Sequence, residues 1–159
     1  MIVVSDTSPI TNLAAIRQLD LLRQIYGQVI IPEAVFQELT AVGGHHPGAV
    51  VQRLDWVETR AVSNRLLVTA LEVELDEGEA EAIALAQELS ADVLLIDEHL
   101  GRAAATRLGV RIIGLLGVLI EAKHRGLIQE IKAPVDALMK LGFRVKQDLY
   151  QRVLQAAGE

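Results

Sequence analysis

Two aspartates that follow short apolar runs are the residues whose types and spacing could do chemistry together. Asp6 ends the segment IVVSD, residues 2–6, and Asp97 ends the segment VLLID, residues 93–97. If both runs are parallel strands of one sheet, their carboxyl ends open onto the same edge, where open α/β folds bind ligands. Converging carboxylates raise at least one pKa unless a cation neutralises them. The pair therefore indicates a divalent-metal site, and capping of the following helices is the alternative.

The rest of the chain supplies the elements that would position these acids. Short apolar runs alternate with helical segments, which predicts an α/β fold with a central parallel sheet of four or five strands wrapped by helices. The predicted strands are residues 2–6, 29–31, 56–58, 93–96 and 111–113. Residues 63–75 fit helix or strand equally well. From Leu115 to Ala157 we expect a helical C-terminal appendage with breaks near Gly126, Pro134 and Gly142.

Length and composition limit the class of protein. The chain has 159 residues, 51% hydrophobic and 3% aromatic, which fits a single domain, residues 1–159, with helices packed on a parallel sheet. It contains no cysteine, so disulfides and thiolate metal sites are excluded. We find no secretory signal and no apolar stretch long enough to span a membrane. The sequence therefore predicts a cytoplasmic protein.

Two glutamates are placed near the aspartates by helical spacing. In the helix after Gly78, Glu79 borders the apolar stripe that includes Ile83, whereas Glu81 and Glu88 are expected to face away. A favourable contact with the helix dipole is the alternative role for Glu79.

In the helix after Pro32, Glu38 lies one turn beyond the core position Val35. An exposed glutamate late in the helix is its alternative reading. Ser8 is expected to cap the first helix, with Pro9 at the first helical position. The segment Ala41 to Pro47 is predicted to be a polar loop in which His45 and His46 are solvent-exposed, and the histidines form no metal-binding spacing.

Several motifs in order resemble the PIN-domain ribonucleases. They are VVSDTSP at residues 3–9, IP with a following EL at residues 31–39, and LDEGEAEAI at residues 75–83. The later segments LIDE with GR at residues 95–102, and GLLGVL at residues 114–119, are similar to the toxins of VapC-type toxin–antitoxin pairs. The resemblance runs from Met1 to about Gly142.

This resemblance implies a compact α/β nuclease that binds Mg²⁺ or Mn²⁺ through three or four acids. Asp6, Glu38, Glu79 and Asp97 match the acidic positions, and Ser8 matches the small hydroxyl residue that accompanies the first aspartate. Asp6, Asp97 and Glu79 are the expected metal ligands. In many such nucleases the third acid is aspartate, whereas here Glu79 has a longer side chain. The expected partners are RNA as substrate and a small antitoxin protein.

The charge distribution is uneven along the chain. The net charge is −6, but residues 100–159 carry ten Lys/Arg against five Asp/Glu, whereas residues 1–99 carry five against sixteen. A basic, phosphate-accepting surface is one interpretation, with Arg102 nearest the chemistry, and solvated helix faces are the other. An ion pair between Arg102 and Glu98 or another acid is the alternative for that residue.

Other protein classes with similar acidic residues agree less well with the sequence, and two alternatives stay open. A haloacid-dehalogenase-type phosphatase requires a second aspartate two residues after the first, and position 8 is Ser8. A catalytically inactive PIN-like module that binds a partner protein or RNA is the alternative to a nuclease. A homodimer through an Ala/Leu-rich surface helix is a further expectation.

Overall fold

The computed structural model describes residues 1–41 and 46–159. The strands are β1 (Val3–Ser5), β2 (Val29–Pro32), β3 (Val57–Arg60), β4 (Val93–Leu95) and β5 (Ile112–Ile113). The helices are α1 (Thr7–Ala15), α2 (Asp20–Tyr26), α3 (Glu33–Thr40), α4 (Arg65–Leu71), α5 (Glu77–Glu88), α6 (His99–Arg107), α7 (Leu115–His124), α8 (Lys132–Lys140) and α9 (Gln147–Ala156). A 3₁₀ helix, Pro47–Arg53, connects α3 to β3 and was not predicted.

The five strands form one parallel sheet in the order β3-β2-β1-β4-β5. This arrangement confirms the predicted fold class. The register pairs Val4 of β1 with Ile30 of β2 on one side and with Leu94 of β4 on the other. Because β1 lies at the centre and its neighbours come from distant parts of the chain, its carboxyl end is enclosed by several different loops and helices.

Helices cover both faces of the sheet. Successive residues of a strand point to opposite faces, so Val3 and Leu95 join one apolar cluster while Val4 and Leu94 join the other. The first cluster contains residues of α1, α2, α3, α7, α8 and α9, and the second contains residues of α4, α5 and α6. Burial of β1, β2 and β4 on both faces explains why their sequences are almost entirely apolar. The edge strand β3 is partly exposed and carries polar residues.

The C-terminal helices are part of the same core. Val153, Leu154 and Ala157 are buried at the end of the chain and belong to the first cluster. The predicted helical appendage is therefore confirmed, and it packs against the body of the protein.

Local features of the sequence decide where several helices begin and end. Asp6 occupies the N-cap position of α1, so the prediction that Ser8 caps this helix is wrong; the helix starts one residue before Ser8, at Thr7. Pro134 lies in the first turn of α8 and does not break it, because the first helical N–H groups have no intrahelical acceptor and proline is tolerated there. Helix α4 resolves the ambiguous residues 63–75.

Within the predicted loop from Ala41 to Pro47, residues 42–45 lie outside the described part of the chain. In the ranges that are described, no helix is long and apolar enough to cross a membrane.

Candidate functional site

The two strand-end aspartates lie at the point where the strand order reverses, and they line different cavities. From β1 the chain continues to β2 on one side, and it later returns to β4 on the other side. Asp6 directly follows β1, and its backbone N–H donates to the carbonyl oxygen of Leu95 in β4 at 2.9 Å. Asp97 lies two residues beyond Leu95. Both acids therefore lie at the crevice in which open α/β sheets bind ligands.

A cavity of about 340 Å³ opens at this crevice. We call it the acidic cavity; its lining residues are Asp6, Thr7, Ser8, Thr11, Asn12, Glu38, Asp76, Glu79 and Glu98. Four of the predicted site residues, Asp6, Ser8, Glu38 and Glu79, are thus brought together from α1, α3, α5 and the end of β1. In the described part of the chain, the lining contains five carboxylates and no lysine, arginine or histidine.

Asp6 is the most buried of these acids. It is 4% exposed, and its pKa is raised from 3.8 to about 7. Burial is the largest cause; the backbone N–H of Thr7 opposes it, and the charges of Glu79, Asp76 and Glu38 raise the pKa further. Asp6 makes no side-chain capping bond to α1, so helix capping does not account for this carboxylate. Its surroundings favour either a proton or an added cation.

Glu79 lies in the first turn of α5 and combines two roles. It forms a capping box with Asp76, in which Asp76 Oδ1 accepts from the Glu79 N–H at 2.8 Å and Glu79 Oε2 accepts from the Asp76 N–H at 3.3 Å. Its pKa is raised from 4.5 to about 7, first by burial and then by the charge of Asp76, with the Asp76 N–H opposing and Glu98 and Glu38 adding to the shift. Glu79 is therefore half-buried at the cavity and is also part of the helix cap.

Glu38 reaches the acidic cavity from the last turn of α3, although its side chain is exposed. Its Oε2 accepts a hydrogen bond from the hydroxyl of Thr7. Its two carboxylate oxygens lie only 3.1 Å from the position that a Cβ on Gly78 would occupy. The missing side chain at Gly78 therefore allows the carboxylate to approach the start of α5.

Ser8 lines the cavity from the first turn of α1. Its Oγ accepts a hydrogen bond from Asn12 Nδ2 at 3.2 Å. The hydroxyl hydrogen of Ser8 remains available for a carboxylate or a water molecule in the cavity.

The expectation that Glu81 faces away from the protein is wrong. Glu81 is 4% exposed; its Oε1 accepts from the Ala34 N–H at 3.0 Å, and its Oε2 from Arg65 Nη1 at 2.7 Å. The sequence pattern assumed one buried face on α5, whereas this helix packs against α3, α4 and α6 as well as the sheet. Glu81 connects α5 to the first turn of α3 and to α4, so it is a structural acid.

Asp97 lines a second cavity, of about 630 Å³. We call it the arginine cavity; its lining residues are Asp97, His99, Arg102, Ile112, Ile113, Gly114, Leu116, Gly117, Phe143, Arg144, Leu149 and Val153. Asp97 Oδ1 accepts from the Leu115 N–H at 2.8 Å, at the start of α7. Burial raises its pKa, while the Leu115 N–H and the charge of Arg102 oppose the rise. Among described residues Asp97 Oδ2 is buried and has no hydrogen-bond partner.

Arg102 is held beside Asp97 and is not paired with Glu98. Its Nη1 donates to the carbonyl oxygen of Ile96 at 3.2 Å, and a side chain on Gly114 would collide with the guanidinium. In residues 1–41 and 46–159 Arg102 forms no salt bridge. Glu98 instead accepts from the Gly101 N–H at 3.0 Å as the N-cap of α6.

Five lining residues of the acidic cavity were not predicted from the sequence: Thr7, Thr11, Asn12, Asp76 and Glu98. Asp76 had a recognisable signal, because an aspartate three residues before a glutamate is the capping-box pattern. Thr7 and Glu98 carried no signal beyond their positions next to Asp6 and Asp97, since their place in the cavity depends on the approach of other elements.

The chemistry of these donors fits a hard divalent cation. Carboxylate oxygens are the ligands that Mg²⁺ and Mn²⁺ prefer, and the charges of neighbouring carboxylates add to burial in raising the pKa values of Asp6 and Glu79. These oxygens do not form a preassembled metal site, because no group of three acids or histidines in the described ranges is close enough to hold an ion. Two of the carboxylates accept hydrogen bonds within the protein instead. Glu38 accepts from the Thr7 hydroxyl, and Glu79 accepts from the Asp76 N–H.

Comparison with known families places the chain among the PIN domains. A family model described as DUF3368, PIN domain, matches residues 2–159. The chain therefore belongs to this PIN-domain family. PIN domains are generally nucleases and usually use divalent metals. Among curated proteins, no significant match to the chain is found.

Proposed function

We propose that this PIN-domain protein is a divalent-metal-dependent ribonuclease that hydrolyses RNA phosphodiester bonds and serves as the VapC-type toxin of a toxin–antitoxin pair. The observation that carries the proposal is the acidic cavity, where buried Asp6 lies among four other carboxylates at the switch point of the sheet. Such a cluster is costly to ionise without a cation, and helix capping does not account for buried Asp6, which makes no side-chain capping bond.

Asp6, Glu79 and Asp97 are the proposed ligands for Mg²⁺ or Mn²⁺. Asp6 and Glu79 face one cavity, and Asp97 contributes the oxygen Oδ2, which has no partner in the described part of the chain. Bound at such a site, the ion would polarise the phosphate and lower the pKa of a bound water. Glu38 would orient a water molecule, with its carboxylate fixed by Thr7. Ser8 would donate its hydroxyl hydrogen to a carboxylate or water in the same cavity.

The first experiment tests catalysis by removing one charge from the cavity. Asp6→Asn keeps the shape of the side chain, and we expect cleavage of RNA with Mg²⁺ or Mn²⁺ to fall by about 100-fold or more. Asp97→Asn should also lower the rate. The matched control is Asp55→Asn, because Asp55 is exposed and lies outside the acidic cavity. Full activity in both the Asp6 and the Asp97 variants would exclude the proposal.

Metal binding is tested separately, by calorimetric titration of Mn²⁺. Glu79→Gln should weaken binding, whereas Glu77→Gln should not, because Glu77 is an exposed acid of the same first turn outside the cavity. Glu81→Gln is unsuitable as the control, since it would disturb the buried contacts to Ala34 and Arg65. Equal Mn²⁺ affinities in the Glu79 and Glu77 variants would contradict the role of Glu79.

The toxin–antitoxin role predicts effects in growing cells. The proposed cleavage of RNA would take place in the cytoplasm. A small antitoxin protein would be the inhibitory partner. Induced expression of the wild-type chain should arrest growth, expression of Asp6→Asn should not, and the product of a small adjacent reading frame should relieve the arrest when co-expressed. Self-association as a homodimer is part of the proposal and is measured by sedimentation of the purified chain.

A catalytically inactive module that binds RNA or a partner protein is the second candidate. It is favoured by the absence of a ready three-ligand group in residues 1–41 and 46–159. It predicts RNA or protein binding without any cleavage, and without stabilisation by Mn²⁺. Thermal unfolding with and without Mn²⁺ separates the two candidates, because a bound ion stabilises only the folded state.

A further inference from the structure

We infer that the arginine cavity binds one unpaired nucleotide of an RNA strand, next to the phosphodiester that reaches the acidic cavity. The identity of the ligand rests on the proposed function, since RNA is its proposed substrate. The two cavities adjoin at consecutive residues: Glu98 lines the acidic cavity and Asp97 lines the arginine cavity. A strand that crosses this boundary would therefore place neighbouring nucleotides in the two cavities.

The arginine cavity has cations that are free to meet a phosphate. Arg102 and Arg144 both line it, and in residues 1–41 and 46–159 neither forms a salt bridge. A guanidinium can make two parallel hydrogen bonds to phosphate oxygens. Because Nη1 of Arg102 is anchored on Ile96, the group is held in place with its remaining N–H groups available.

Five other basic residues of the C-terminal third form salt bridges. Lys123 Nζ lies 2.9 Å from Glu159 Oε2, and Arg125 Nε lies 2.7 Å from Glu121 Oε1; the other three are Arg107, Lys132 and Arg152. In the described ranges Arg111, Lys140 and Lys146 form no salt bridge, but they do not line the cavity. Position in the cavity together with the lack of an acidic partner therefore selects Arg102 and Arg144 as phosphate-binding groups in a protein whose net charge is −6.

The remaining wall suits a nucleobase. Phe143 is half-buried, and with Leu116 and Leu149 it gives the cavity an apolar side. Stacking of bases on aromatic rings is the usual way in which proteins hold unpaired RNA. The volume of about 630 Å³ is within the range of small-ligand sites. An acidic peptide would use the arginines but leave the apolar wall without a partner.

The experiment measures binding without cleavage. Asp6→Asn protein in EDTA is titrated with a labelled single-stranded RNA oligonucleotide and with the same sequence as a duplex, over a series of salt concentrations. Arg144→Gln and Phe143→Leu are added in that background. The matched control is Arg107→Gln, which also removes one positive charge from an exposed arginine but lies outside the cavity.

Arg144→Gln should weaken single-strand binding about tenfold and reduce the salt slope by about 0.7. Phe143→Leu should weaken single-strand binding about fivefold without a matching loss for the duplex. Arg107→Gln should change both by less than about twofold. Equal effects of Arg144→Gln and Arg107→Gln, or unchanged binding in the two cavity variants, would overturn the inference.

Two further outcomes separate this inference from the proposed function. If the wild-type chain cleaves no RNA with Mn²⁺ but the cavity variants still lose single-strand binding, the nuclease proposal fails and the nucleotide site stands. If the wild-type chain cleaves RNA and polyglutamate displaces the oligonucleotide as well as unlabelled RNA does, the cavity binds an acidic partner and the nucleotide site is rejected.

Discussion

The ends of β1 and β4 look alike in sequence but differ in electrostatics. Asp6, at the end of β1, is buried beside other carboxylates in a cavity where no described residue supplies a cation, and its pKa is raised to about 7. Asp97, beyond β4, accepts a hydrogen bond from the Leu115 N–H and lies near Arg102. Both contacts lower its pKa and so oppose the rise caused by burial. The negative charge of Asp6 thus depends on a proton or cation from outside the chain. That of Asp97 is partly compensated by Arg102 and the Leu115 N–H.

Asp97 and Asp6 therefore have different roles in the fold. Asp97 accepts from the N–H at the start of α7 and lines the arginine cavity, in addition to any part in metal binding. Asp6 makes no side-chain capping bond to α1, and only the backbone N–H of Thr7 opposes the effect of burial on its pKa. Its burial costs stability that only a proton or a cation can recover.

The largest expected effect is on the pH dependence of stability without metal. The pKa of Asp6 is about 7 in the folded protein, against 3.8 for a free carboxyl. Between these values the folded state holds a proton that the unfolded state has released, so stability should fall as the pH rises from about 4 to about 7. Asp6→Asn removes this loss, and the variant should be more stable above pH 7 by up to about 4 kcal/mol.

Urea unfolding in EDTA across this pH range measures the effect, with Asp55→Asn as the control. Glu79 should contribute in the same direction, since its pKa is also raised. A stability that increases with pH over the same range in the wild-type protein would show that Asp6 is already neutralised inside the fold.

The second prediction has the opposite sign. Asp97→Ala removes the acceptor of the Leu115 N–H at the start of α7 and takes a negative charge from beside Arg102. We expect a loss of about 1–2 kcal/mol in the free energy of unfolding. Urea unfolding at neutral pH, without metal, is the measurement. A stabilising effect like that of Asp6→Asn would remove the distinction between the two strand ends.

The smallest expected effect on stability concerns Gly78. An alanine here would bring its Cβ to 3.1 Å from both oxygens of Glu38, which an exposed side chain can avoid by moving. The gain in helix propensity is at most about 1 kcal/mol, so stability should change by no more than that. The affinity for Mn²⁺ should nevertheless fall, because Glu38 is displaced from the acidic cavity.

A double-mutant cycle sharpens this test. If the effect of Gly78→Ala on Mn²⁺ affinity passes through Glu38, the same substitution in a Glu38→Ala background should have no further effect. Independent and additive losses from the two substitutions would mean that Gly78 supports the site in some other way.

Most of the fold could be predicted from local sequence signals. The short runs predicted as strands and the Ala/Leu/Glu-rich segment after Gly78 located the strands and α5 to within two residues. For β1, β2 and β4 the reason is that parallel strands buried on both faces are almost entirely apolar. The errors fell where two local signals competed. At the first helix both Asp6 and Ser8 could act as the N-cap, and Pro134 could either break a helix or lie in its first turn.

The site was predicted less completely, and Glu79 and Glu81 illustrate why. Their spacing on α5 predicted opposite environments, but Glu81 is the more buried of the two. A hydrophobic pattern identifies the face of a helix that meets the sheet; it does not identify which other helices will cover the remaining faces. Whether Asp6, Glu38, Glu79, Asp97 and Ser8 act in catalysis stays a prediction for the experiments above.

By itself, the sequence determined the order of strands and helices along the chain and the position of an acid after β1 and β4, because these follow from short-range periodicity and residue type. Only the tertiary structure decided that Asp6 lies among carboxylates while Asp97 lies between a helix N-terminus and Arg102. The electrostatic environment of a buried carboxylate depends on groups distant in sequence, which the parallel pairing of β1 with β4 and the packing of helices around their ends bring close to it.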